Sequence, residues 1–140
     1  MNEILSSYLG ENLLKVIEHN LDEYKALNLD EKQIYRQIYD LSDLVIMCMY
    51  LVALDKNESD LAFKIKKASK MLKLKRKEEF KLAFEKKDLD NFFSRLSKLD
   101  IITLAEELNL YALSNEEYQS LSKEKKAMYK ALKIYLEKQK

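Results

Sequence analysis

Apolar residues recur along this chain at helical spacing, not at the alternation of a strand. Leu5, Leu9, Leu13, Ile17, Leu21 and Tyr24 follow one another at intervals of four or three. On a helix that interval makes one apolar stripe, and it predicts a first helix over about Asn2 to Leu27. Asn28-Leu29-Asp30 reads as a turn, with Asp30 placed to cap the next helix, because a carboxylate accepts hydrogen bonds from the first unpaired amides. The second helix is predicted from Glu31 to about Leu54. It begins amphipathic, with Ile34, Ile38 and Leu41, and turns apolar on every side from Leu44, which places its end centrally in a bundle or under a partner. Lys56-Asn57-Glu58-Ser59 is the second turn, with Ser59 as the expected cap.

A third helix is predicted from Asp60, with Leu61, Ile65, Ala68 and Leu72 on its inner side. At Lys75 to Glu79 the pattern meets five charged residues in a row, so the helix either breaks there or runs on into water. Phe80, Ala83 and Phe84 resume it. Asp88 or Asp90 caps a fourth helix that buries Phe92, Phe93, Leu96, Leu99 and Ile102 and continues to about Leu110. Ser114 and Glu117 have the spacing of a capping box, and a short helix follows. Ser122 caps the last, which buries Met128, Leu132 and Tyr135.

The 140 residues include no proline and one glycine, Gly10. Strands joined by tight turns use both as punctuation, whereas leucine, lysine, glutamate and alanine favour helix. The expectation is therefore an all-α protein, a single helical bundle of five or six helices, with residues 1–140 as one domain. The chain has no internal repeat or low-complexity tract. Its one cysteine, Cys48, lies in the apolar run Leu44 to Leu54, where a buried thiol and a reducing compartment are expected. That run has 11 residues against the roughly 20 of a membrane span. No basic residue precedes the apolar positions of the N-terminus, unlike a signal peptide. A cytoplasmic protein with no membrane partner is expected.

Most catalytic chemistry fails on inventory. The single histidine, His19, has Val16 three residues before it, so the Glu-x-x-His pairs of a di-iron bundle are missing. Zinc sites built from cysteine and histidine lack ligands. A phosphate-cradling loop needs clustered glycines. His19 lies in the polar stretch Glu18-His19-Asn20 and reads as an exposed or capping residue. The acidic pairs Asp22-Glu23 and Glu106-Glu107 are adjacent in sequence and so diverge on a helix. Ile102 to Leu110 resembles the first helix of a helix-turn-helix, but the next helix begins Asn-Glu-Glu-Tyr, and its glutamates would meet phosphates. No enzyme activity, cofactor, metal or small-molecule substrate is expected.

Charge is the informative feature. The chain holds 25 basic and 24 acidic residues, yet residues 1–60 carry 5 basic and 12 acidic and residues 61–88 carry 11 basic and 4 acidic. Lys64 to Lys77 has eight basic residues and no acid. On the third helix, Lys66, Lys70, Lys73 and Lys77 share one face, turned away from Leu61, Ile65, Ala68 and Leu72, and Lys67 and Arg76 widen it. Like charges so spaced repel, and a counter-charge relieves them. The acidic first helices could supply it, or a polyphosphate backbone with counterion release. No aromatic residue lies on that face, so contact would be to backbone and independent of base sequence. The expected partners are RNA or single-stranded DNA and other protein subunits. The alternative is a helical adaptor (a secretion chaperone, immunity protein or phage-type inhibitor) that grips a protein through the apolar end of the second helix.

The order of elements from Asp43 onward is similar to the helical small subunit of the CRISPR interference complex Cascade. An apolar helix precedes a basic one. Then come Phe80 and Phe84, the short connection Asp88-Leu89, Arg95 on the next helix, and Leu110-Tyr111 before a short capped helix and a terminal amphipathic one. The resemblance covers roughly two-thirds of the chain. It implies a non-catalytic subunit of a ribonucleoprotein that contacts nucleic-acid backbone through basic residues. On the nucleic-acid reading, Arg95 and Lys98 are expected near the lysine face, with Lys67 and Arg76. Having only three arginines, Arg36, Arg76 and Arg95, the chain departs from that family and leaves phosphate contact to lysine.

Overall fold

The computed structural model describes residues 10–139, and among them every regular element is an α-helix. Eight helices occur among the described residues: α1 Glu11–Ala26, α2 Glu31–Ile38, α3 Asp43–Asp55, α4 Ser59–Glu85, α5 Leu89–Phe93, α6 Lys98–Glu107, α7 Asn115–Gln119 and α8 Lys123–Lys138. The expected stripe positions Leu5 and Leu9 lie outside the described residues.

The count exceeds five or six because two expected helices are each divided. The second divides at Tyr39 to Ser42, where the Ser42 hydroxyl accepts from the Val45 amide at 3.4 Å and starts α3. The fourth divides at Ser94 to Ser97. There Ser97 accepts from the Asp100 amide at 3.2 Å, and the Asp100 carboxylate accepts from the Ser97 amide at 3.0 Å. This reciprocal box satisfies two helix-end donors at once. The expected caps at Asp30, Ser114 and Ser122 all form. The third helix does not break at Lys75 to Glu79; α4 is continuous over 27 residues.

Four helices end without glycine. Asn28, Asn57, Lys87 and Asn109 adopt positive φ, between 48° and 60°. In each case the amide of the following residue bonds a carbonyl five positions back: Leu29 to Tyr24, Glu58 to Ala53, Asp88 to Ala83 and Leu110 to Ala105. That is the Schellman pattern, in which asparagine is the usual substitute for glycine. It lets a chain with one glycine turn sharply at four helix ends.

The chain divides into two compact units, the first ending at Leu72 and the second starting at Lys73. Each has its own core. In the first, α1 (Leu14, Ile17, Leu21, Tyr24), α2 (Ile34, Ile38), α3 (Ile46, Cys48, Met49, Val52, Ala53) and α4 (Leu61, Ile65, Ala68, Leu72) pack together. The second is built around Phe80, Phe92, Phe93, Ile101, Leu104, Leu110, Met128 and Leu132. Phe80 lies 5.9 Å, centroid to centroid, from both Phe92 and Phe93, and Phe93 stacks on Tyr135 at 4.4 Å. Such aromatic pairs hold one another beyond their buried area.

Candidate nucleic-acid interface

α4 turns one apolar stripe inward and most of its cations outward, as helical periodicity requires, while Phe63, Leu74 and Leu82 stay exposed among the cations. Within the first unit, Lys66 and Lys70 are exposed while Leu61, Ile65, Ala68 and Leu72 are buried. Within the second, Lys73 and Lys77 are half-buried. None of these four lysines forms an ion pair among the described residues.

The flanking positions behave differently. Lys67 stays exposed, but its ammonium lies 3.2 Å from the Glu31 carboxylate and 4.5 Å from the Phe63 ring centre. Glu31 is the first residue of α2, so an acid of the preceding helices does neutralise part of this segment. Lys64 donates to the Leu29 carbonyl at 3.1 Å. The other acids of the first unit are partly used in the same way: Glu58 holds Lys25 and Glu18 holds Lys56, both at 2.7 Å. The Glu18 hydrogen bond keeps the Lys56 ammonium above its ordinary pKa.

Arg76 does not widen the lysine face. It is 8% exposed, and its guanidinium lies 3.6 Å from the carboxylate of Asp100, itself 3% exposed. The physical reason is its place in the apolar series. Leu72, Arg76 and Phe80 are four apart, so Arg76 continues the inner stripe and needs a buried counter-charge. Asp100 supplies it from the first turn of α6. A core-phase arginine was the sequence signal that a buried partner was needed, and the Ser-x-x-Asp spacing of Ser97 and Asp100 marked only the helix start.

Arg95 and Lys98 are exposed in the second unit. Arg95 lines an open groove with Lys86, Asn91, Glu79 and Asp88, so two carboxylates share the site with two cations. Of the expected set, Lys66, Lys70, Arg95 and Lys98 are accessible and outside any ion pair among the described residues, Lys73 and Lys77 are partly so, Lys67 is engaged, and Arg76 is internal.

One surface was less evident from sequence. α3 is apolar all round, yet one side of it stays open: Leu44, Met47 and Leu54 are 42–49% exposed, with half-buried Leu51 between them. Their spacing is three, four and three, the seam of a helix that packs on another. Exposed Asp40 and Asp55 lie at its two ends. His19 is exposed on α1, as expected. Among the described residues no three His, Cys, Asp or Glu side chains stand close enough to hold a metal ion, and no helix is long and apolar enough to cross a membrane. Compared with protein-family models, curated proteins and solved structures, the chain matches none.

Proposed function

We propose that this chain is a non-catalytic, cytoplasmic helical subunit that contacts nucleic-acid backbone, RNA or single-stranded DNA, through lysines of α4. The observation that carries the reading is that Lys66 and Lys70 in the first unit, and Lys73 and Lys77 in the second, form no ion pair among the described residues. Ammonium groups without a partner gain most from a polyanion, because each neutralised phosphate releases condensed counterions. Lys66 and Lys70 belong to the first unit and Lys73 and Lys77 to the second, and the proposal concerns the groups of each. Lys98 and Arg95 are secondary contacts. The resemblance to Cascade small subunits suggests a place among other protein subunits in a ribonucleoprotein. Filter binding of a labelled 20-nucleotide RNA and its DNA counterpart at low salt tests this. Binding that disappears when the four lysines become glutamate supports the reading; no binding by the unaltered protein sinks it.

A second reading, a protein-binding helical adaptor, is favoured by the open side of α3. Contiguous exposed apolar surface marks an interaction site. The acids at its ends select the occupant: an amphipathic helix of a partner protein, with an apolar stripe flanked by lysine or arginine. Titration of a basic amphipathic peptide into the protein tests it. Saturable binding lost in Met47→Lys is the supporting result, and equal binding by an acidic peptide of the same apolar pattern contradicts it.

A further inference from the structure

The last helix carries a second row of cations that the reading of α4 does not use. Lys123, Lys126, Lys130 and Lys133 are spaced three, four and three along α8, so they form one ridge. Lys123, Lys130 and Lys133 are exposed and Lys126 is half-buried, while Met128 and Leu132 on the other side are buried. None of the four is in an ion pair among the described residues. α8 as a whole holds six lysines against two glutamates, and Glu137 lies at the far end of the ridge.

Two of these ammonium groups are placed by an aromatic ring. Lys126 Nζ is 5.5 Å and Lys130 Nζ 5.9 Å from the centre of Tyr118, within cation–π range. Tyr118 is itself set against Tyr129, centroids 5.6 Å apart. The ring thus gathers two like charges that would otherwise spread apart, and an anion between them relieves the repulsion. Glu124 follows Lys123 directly but lies about 100° round the helix from it, and Glu116 and Glu117 lie in the first turn of α7, where Glu117 accepts from the Ser114 amide at 3.0 Å. That bond holds its carboxylate below the ordinary pKa.

We infer that the Lys123–Lys126–Lys130–Lys133 ridge of α8, ordered by Tyr118, is a separate binding surface for one nucleic-acid strand. Ten residues of helix rise about 15 Å. Four ammonium groups along that length make a continuous positive row on which one strand can lay a short run of its phosphates. A row one residue wide matches a strand better than a flat membrane. The inference goes beyond the reading of α4 but shares its class of ligand, so the test separates them.

Three proteins are compared for binding of a fluorescein-labelled 12-nucleotide oligo-uridylate between 50 and 200 mM salt: the unaltered chain, a variant with Lys123, Lys126, Lys130 and Lys133 changed to Gln, and one with the four α4 lysines changed to Gln. All must show the same helical circular dichroism. For single strands the slope of log affinity against log salt is about 0.7 per neutralised phosphate. The α8 variant is expected to lose close to 3 units of slope, which corresponds to roughly a 50-fold difference across that salt range. Tyr118→Phe, which keeps the ring, should bind as the unaltered chain does, and Tyr118→Leu more weakly. Unaltered slope in the α8 variant with reduced slope in the α4 variant overturns this inference and leaves the α4 reading standing. The reverse overturns the α4 reading alone. Absence of binding by the unaltered chain at 50 mM overturns both. Equal affinity for vesicles containing phosphatidylserine marks a generic basic surface and also overturns the inference.

Discussion

The Arg76 guanidinium faces the Asp100 carboxylate at 3.6 Å with both side chains almost wholly out of water. Asp100 also accepts from the Ser97 amide, so one carboxylate both starts α6 and neutralises a charge on α4. Removing one member of a buried pair leaves the other uncompensated, at a cost of about 3–5 kcal/mol. Arg76→Leu and Asp100→Leu should each destabilise by that order in urea unfolding. The double variant should recover much of the loss, since apolar replacement of both partners is near neutral. A double variant as unstable as the sum of the singles would show that the pair is not the source of the effect.

Lys87, two residues past the end of α4, adopts φ 57°. A left-handed conformation costs an L-residue other than glycine or asparagine about 1–2 kcal/mol, and part of that gain returns to the unfolded chain when glycine is introduced. Lys87→Gly should therefore stabilise the protein by about 0.5–1 kcal/mol. The same change at Lys86, inside no such constraint, should not. Denaturant midpoints of the two variants check the prediction.

Tyr135 donates its hydroxyl hydrogen to Asp90. That bond, together with some burial and the Asp90 charge, pushes the phenol above its ordinary pKa of 10.0. A proton held more tightly in the folded state stabilises it below the unfolded pKa, and the benefit disappears as pH rises through the folded value. The stability advantage over Tyr135→Phe should be constant from pH 7 to 9 and shrink above pH 10. Thermal melts across that range decide it; an advantage that grows with alkalinity contradicts the bond.

On α3, Met47 is 49% exposed and Met49 is fully buried. Met47→Ala should change stability by less than about 0.5 kcal/mol, and Met49→Ala should cost about 2–5 kcal/mol. Cys48, one residue before Met49, is 3% exposed, and burial pushes its thiol pKa up. It should react slowly with a thiol reagent until denaturant is added, and faster in Met49→Ala.

How far these features could be read in advance depends on which physical term set them. The all-helical class and the caps at Asp30, Ser114 and Ser122 depend on spacing within a few residues, and the sequence displays that directly. The breaks at Ser42 and Ser97 were hidden because apolar residues resume nearly in phase after each turn: Ile38 to Leu41 and Val45, Phe93 to Leu96 and Leu99. Periodicity reads through such a gap, and only the capping chemistry marks it. The outward position of Lys66 and Lys70 follows from helix phase alone. The Lys67–Glu31 and Arg76–Asp100 pairs join residues 36 and 24 positions apart in the chain, and no local pattern encodes such partners. Arg76 in the apolar phase signalled that a partner was needed without naming Asp100. The open side of α3 was legible as an excess of apolar residues, but which side stays uncovered depends on how α1 and α4 pack against it.

The most direct measurement is the salt dependence of oligonucleotide affinity for single α4 substitutions, Lys66→Gln, Lys70→Gln, Lys73→Gln and Lys77→Gln, with Lys67→Gln and Arg76→Gln beside them. The exposed, unpaired Lys66 and Lys70 should each lower the slope by about 0.7, and the half-buried Lys73 and Lys77 by less. Lys67, already held by Glu31, and Arg76, held by Asp100, should leave it unchanged. Slopes that are the same for all six variants and the unaltered chain would contradict the account.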